Sequence, residues 1–412
     1  MANLDRIQSN LQALAAIGAT PDGGATRLAW SELEREAHKL AVQWMEEAGL
    51  KVWSDTVGNS FGRREGSDPS LPTIMIGSHL DTVNNGGNLD GTIGVVGALE
   101  VVRELNAKGV VTKHPITVVA FAAEEAVRFA GTCMGSKIIT GAMGRKDLDR
   151  LKDAQGVTPA GAMKGCGLDP DRLQEARWDT SKIGAYLELH IEQGQVLEKL
   201  GKQVGVVTAI AAATRYKVLL KGSADHSGAT PMGARKDALA AAAEIVLGVE
   251  RIATSEAGST TVGTVGILKV QPGAMTIIPG GAELGIDIRD TVPEGKKVAS
   301  EKVEAMIREV CKRRNIELEL IQLLDDVPAV MSPTVKEAVR SSAEKLGYSY
   351  NLMPSAAGHD ARLMGFVTQT GMIFVPSRAG ISHSPKEWSD PQDILAGIDV
   401  MVQAVQEADR TL

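Results

Sequence analysis

The residues of this sequence that could do chemistry are histidines and carboxylates at the ends of apolar runs. His79 and Asp81 follow Thr73-Ile74-Met75-Ile76, which reads as a buried strand. Residues two apart on an extended backbone point the same way, so one can bind a metal while the other flanks it. The Gly-rich loop before Asp90 lets that carboxylate fold back beside His79. Imidazole with carboxylate is a ligand set for Zn, Mn or Co.

Three later stretches supply what this pair lacks. Apolar or small residues from Pro115 to Ala123 lead straight into Glu124-Glu125, at the strand edge where open α/β sheets collect ligands. His190 stands near the end of the run that begins at Ala185, and His383 lies in Gly380-Ile381-Ser382-His383-Ser384-Pro385. Two adjacent glutamates are more often solvated than functional, and a lone histidine on a strand is more often core. Their joint presence reverses both readings. A two-metal site holds ions ~3.5–4 Å apart and needs a bridge, and Asp90 has two oxygens to offer. The assignment is His79, Asp90 and His190 on one divalent ion, with Asp90, Glu125 and His383 on the other. Glu124 is then free to take a proton from water, and Asp81 to orient the His79 ring.

The elements that must position these groups are legible from periodicity. Residues 28–48 carry Leu33, Ala37, Leu40, Ala41, Trp44 and Met45 at helical spacing, and His38 among their charged neighbours reads as solvated. A strand over 51–57, another over 73–76, a helix over 91–109 and a strand over 115–123 form a βαβ unit. That predicts a mixed, largely parallel sheet with helices on both faces. Residues 145–180 read as short helical pieces with nothing catalytic. From about 209 the order becomes strand 215–221, helix 237–250, strands 260–270 and 282–290, helix 296–313 and strand 316–323. This βαββαβ order is ferredoxin-like. A smaller α+β domain over 209–326 is therefore expected, inserted into a larger one formed by 1–208 and 327–412, with a helix over 333–347, a strand over 371–375 and a terminal helix from Pro391.

A chain of 412 residues has room for two cores. Its net charge of −7 lacks a basic block, which argues against nucleic acid as a partner. No apolar run reaches the ~20 residues of a membrane span. Cys133, Cys166 and Cys311 are odd in number and widely spaced, which points to inert thiols in a reducing cytoplasm.

These motifs, with Asn88-Leu89-Asp90-Gly91, Leu189-His190-Ile191-Glu192-Gln193-Gly194 and Gly358-His359-Asp360, occur in the order of a known pattern. Over essentially its whole length the chain resembles the hydantoinase/carbamoylase branch of the M20 metallopeptidase family. It is most similar to the N-carbamoyl-L-amino-acid hydrolases, then to the allantoate amidohydrolases. The resemblance implies a zinc-exopeptidase-like catalytic domain, two divalent ions per subunit, and a homodimer built through 209–326, whose domain closes over substrate. It implies that His226 stabilises the oxyanion and Arg289 binds the substrate carboxylate, a task suited to a guanidinium fork. Gln193, Arg215, Thr276 and Gly358 are further substrate contacts. Thr276 stands where the family usually has Asn, and Ala356 and Ala126 stand where Gly is common, so the chemistry is more firmly implied than the substrate. His359 and Asp360 are left outside the metal site.

The expected activity is hydrolysis of the ureido C–N bond of an N-carbamoyl-L-amino acid to amino acid, CO2 and ammonia. Allantoate or an N-acyl-L-amino acid is the alternative substrate. A non-catalytic binding protein is the contrary reading, but a decayed enzyme would be expected to lack a ligand, and none is missing.

Overall fold

A computed structural model describes residues 2–412. Its strands are β1 (Lys51–Ser54), β2 (Ser60–Arg64), β3 (Thr73–His79), β4 (Ile116–Phe121), β5 (Ile183–Ile191), β6 (Val204–Ile210), β7 (Ala212–Lys221), β8 (Val262–Gln271), β9 (Gly281–Asp290), β10 (Glu317–Asp325), β11 (Ala329–Val330), β12 (Tyr350–Ser355) and β13 (Gln369–Val375). The chain divides into two compact units. One holds the residues up to Thr208 with Met331–Leu412, the other Ala209–Val330. The return falls at Met331 rather than at 327, because Ala329 and Val330 pair with Ile210 and Ala209.

In the larger unit the sheet runs β1-β2-β4-β3-β5-β13-β6, with β12 beside β6. The pairs β4–β3, β3–β5 and β5–β13 are parallel, and the flanking pairs β1–β2, β2–β4 and β13–β6 are antiparallel. Every residue of β3 and β4 is buried, as expected where helices cover both faces of a parallel sheet. One face carries Ile74, Ile76, Val118, Leu187, Leu189 and Ile373 into a core shared with helices Leu4–Ala16, Glu32–Glu47, Thr92–Ala107, Pro333–Leu346 and Pro391–Thr411. Each such aliphatic side chain contributes about 1.5–3 kcal/mol on burial. The helices Met134–Ile139 and Asp360–Met364 contact each other, and the second also packs on β5 and β13.

In the smaller unit the antiparallel sheet has the order β10-β7-β9-β8, with helices Ala238–Ser255 and Pro293–Arg314 between β7 and β8 and between β9 and β10. β9 alternates in burial along its length. Leu284, Ile286 and Ile288 are buried with Ile245, Val249 and Ile307, while Gly285, Asp287 and Arg289 stand on the other face.

Several elements escape the periodicity reading. The helix Leu4–Ala16 and the strands β2, β6 and β12 were not foreseen, and β1 ends at Ser54 because the chain turns back into β2. His38 is buried rather than solvated. Its Nδ1 lies 2.9 Å from the Ser60 hydroxyl, since the helix lays this face on β2. Among the described residues no helix is long and apolar enough to cross a membrane.

Candidate metal centre

The parallel register brings the chemistry to one edge of the larger unit. His79 is the last residue of β3 and pairs with Phe121, the last of β4. Glu124 and Glu125 follow three and four residues later. His190 is the penultimate residue of β5, opposite Phe374 of β13. Asp90 precedes the helix Thr92–Ala107, and Gly91 between them has φ +67°. A Cβ on Gly91 would come within 2.5 Å of the His79 ring, so only glycine lets this turn close on the imidazole. Ala123, Gln193 and His383 also adopt positive φ, at 58°, 56° and 56°. Left-handed backbone at non-glycine residues costs of order 1–3 kcal/mol each and gathers at functional sites.

Asp90 is the hub. Its Oδ1 lies 3.0 Å from His190 Nε2 and 3.6 Å from His79 Nε2, and its Oδ2 lies 3.1 Å from His383 Nε2. His383 Nε2 is also 3.4 Å from Glu125 Oε1. Two groups of potential ligand atoms result, His79–Asp90–His190 and Asp90–Glu125–His383, each with its atoms within 4.8 Å of one another. All are buried except His383, which is half exposed.

The donor chemistry fits a cation. His79 Nδ1 lies 3.1 Å from the Asp81 carbonyl oxygen, and His190 Nδ1 lies 2.9 Å from that of Ile191. Carbonyl oxygens only accept, so both Nδ1 atoms carry a proton, and each Nε2 faces Asp90, where a cation would take the place of a second proton. His190 Nε2 is buried and makes no aligned hydrogen bond, although Asp90 Oδ1 lies 3.0 Å away.

The electrostatics point the same way. Burial alone would lower His79, but the Asp81 and Asp90 carboxylates hold it well above the ordinary imidazole range. His190 is raised against its burial by Asp90, and His383 is raised by its hydrogen bond to Asp90. Burial would raise Asp90, yet the three imidazoles hold it well below the carboxylate range. Burial pushes Glu125 well up, with the charges of Asp90 and Glu124 adding to it. The field that draws protons onto these rings would draw a divalent cation more strongly.

A further buried triple, Glu188–His190–His359, shares His190. Its carboxylate is already engaged, since Glu188 accepts from the Ser78 hydroxyl at 2.6 Å and the Ala361 amide at 2.8 Å. His359 Nε2 meets the Ser355 hydroxyl at 2.9 Å, and its ring stands edge-on to His190 at 4.4 Å. This is a buttress behind the first group.

Two expected contacts are realised differently. The Asp81 carboxylate is 3.5 Å from His79 Nδ1, and the closer approach to the ring is by its carbonyl. Asp81 Oδ1 and Oδ2 instead accept the amides of Glu124 and Glu125, at 3.0 and 2.9 Å. Gln193, expected at the substrate, donates its amide to Asp90 Oδ2 at 2.8 Å and to Ser382 Oγ at 3.1 Å. Cys133 is buried, as read, and burial pushes its thiol well up, but the thiol also donates to Glu124 Oε1 at 3.0 Å. Its position shortly after the glutamate pair was the available signal. Ser382 and Glu387 were not singled out, because their partners are backbone amides and a carboxylate that no sequence pattern marks.

Gly358 is exposed in the loop before His359. In the smaller unit, His226 is exposed, accepting through Nδ1 from the Gly228 and Ala229 amides at 3.1 and 3.2 Å. Thr276 is exposed beside it, its carbonyl accepting from the Ser227 amide. Arg215 and Arg289 share one acid, with Nε atoms 2.8 Å from Asp287 Oδ2 and Oδ1 respectively.

Comparison with known proteins follows this geometry. A family model described as Peptidase family M20/M25/M40 matches residues 75–407. An N-carbamoyl-L-amino acid amidohydrolase of Geobacillus stearothermophilus is 42% identical over 401 residues, covering 97% of each chain. A ureidoglycolate hydrolase of Oryza sativa subsp. japonica is 37% identical over 405 residues, covering 97% of this chain and 84% of that protein. Among solved structures, a hydantoinase/carbamoylase family amidase from Burkholderia multivorans has a TM-score of 0.90 at 35% identity, covering 99% of this chain and 98% of the other.

Proposed function

The chain belongs to peptidase family M20/M25/M40 and is a hydrolase of C–N bonds; from that premise we propose that it cleaves the ureido C–N bond of N-carbamoyl-L-amino acids. The products are the amino acid, CO2 and ammonia. The observation that carries this reading is the convergence of three imidazoles on the two oxygens of Asp90, with the Glu125 carboxylate beside His383.

Enzymes of this family generally use divalent metal ions. Two such ions would be held by His79, Asp90 and His190, and by Asp90, Glu125 and His383. When bound, they acidify water and polarise a carbonyl. Glu124 takes the proton of the attacking water and returns it to the leaving nitrogen. Burial raises Glu124, Asp81's charge adding and His79's opposing, which suits a carboxylate that must hold a proton for part of the cycle. Asp81 fixes the backbone of the glutamate pair. His226 polarising the carbonyl, Arg289 and Arg215 holding the substrate carboxylate, and Gln193, Thr276 and Gly358 as further contacts are roles carried by the family resemblance. So is a homodimer through the smaller unit. A reducing, cytoplasmic setting is supported by the three unpaired cysteines.

The test is a substrate panel on protein loaded with Mn, Co or Zn. N-carbamoyl-L-amino acids should turn over fastest, releasing equimolar amino acid and ammonia. Allantoate and N-acyl-L-amino acids form the second reading, supported by Thr276 where the family usually carries Asn. Faster hydrolysis of either would replace the first.

A further inference from the structure

We infer that Glu387 is the positioning residue that locks the two halves of this centre in register, an inference that rests on the metal-binding reading above. Asp90 and His383 are 293 residues apart in the sequence and stand in separate loops. No direct backbone ladder joins them. Glu387 does so with one buried carboxylate. Its Oε1 accepts from the Leu89 amide at 2.9 Å and the Asp90 amide at 3.0 Å. Its Oε2 accepts from the Ser382 hydroxyl at 2.8 Å and the His383 amide at 3.3 Å. Four donors from two loops therefore end on two oxygens of one side chain.

The surroundings are shaped to admit this carboxylate. A Cβ on Gly87 would fall 1.9 Å from Glu387 Oε1, so glycine there is a condition of the contact. Ser382 passes the linkage on, since its hydroxyl also lies 3.3 Å from Asp90 Oδ2. His383 holds φ +56°, a strained state that persists only where its surroundings over-determine it, and Glu387 receives its amide. An amide side chain at 387 would offer one acceptor oxygen and an NH2 group. Either orientation leaves a loop's amides facing a donor, so Glu387→Gln keeps the shape and loses the clamp.

Groups that orient ligands typically cost about 10- to 100-fold in metal affinity when changed. Metal-free parent and Glu387→Gln are titrated with Mn2+ by calorimetry, with melting of both metal-free proteins recorded. The expected result is affinity lower by about 10- to 100-fold in the variant, with the metal-free variant still melting as a folded protein. Equal affinity in a folded variant overturns the inference while leaving the metal reading intact. A parent that binds no Mn2+ overturns both. If Glu387→Gln does not fold, Ser382→Ala removes one of the four donors. It should weaken Mn2+ binding severalfold, and unchanged affinity there equally overturns the proposal.

Discussion

The Asp81 carboxylate accepts the Glu124 amide at 3.0 Å across 43 residues of sequence. With its other oxygen on the Glu125 amide, it aims a proposed base and a proposed ligand at once. Asp81→Asn retains one acceptor oxygen and turns an NH2 group on the other amide. Its kcat should fall about 10- to 100-fold, as for other groups that orient metal ligands. Steady-state kinetics at saturating metal check this, and unchanged kcat would remove Asp81 from the site.

Glu124 is placed to move protons without being needed as a ligand. Glu124→Gln should lower kcat by about 10²- to 10⁴-fold, the usual worth of a positioned acid–base group, while metal content stays at the parental level. Kinetics paired with elemental analysis separate the two effects. Full activity in the variant would reject the assigned base.

Stability should depend on metal, because Asp90, Glu124, Glu125 and Asp81 crowd negative charge into a buried edge. Binding to the folded state alone adds about 1.4 kcal/mol per tenfold rise in free metal above the dissociation constant. Chelation should abolish turnover and lower the melting temperature, with both restored by Mn2+ or Zn2+. A melting temperature indifferent to chelator would contradict a resident cation.

His38 predicts an acid-sensitive fold. Burial, then the charge of Arg35, holds it well below the model imidazole value of 6.5, and its Nε2 is buried without a partner. The unfolded imidazole binds a proton near pH 6.5 while the folded one does not. The unfolded state therefore carries more protons below that pH, and stability falls as pH falls. The slope approaches about 1.4 kcal/mol per pH unit for one group. His38→Gln should flatten the pH dependence of melting between about pH 6.5 and 5. An unchanged slope would show that His38 does not set it.

Much of this was legible before any coordinates. The apolar runs leading to His79, Glu124 and His190 marked strands whose ends would share an edge, because a buried parallel strand leaves little polar in its interior. The ferredoxin-like order of the smaller unit followed from the succession of strand and helix periods over 215–323. His38 was misread because neighbouring residue types do not report burial against a distant strand. The strands β2 and β12 do not stand out as apolar runs; β6, Val204–Ile210, does, and was passed over.

The sequence alone determined which residue types could hold cations and that they would sit at strand ends, since ligand chemistry and strand periodicity are local properties. Only the tertiary structure decided that Asp90 would turn one oxygen to His190 and the other to His383. It alone showed Asp81 and Glu387 serving backbone amides. Every non-proline residue has such an amide, so the choice of donor depends on where the folded chain brings it.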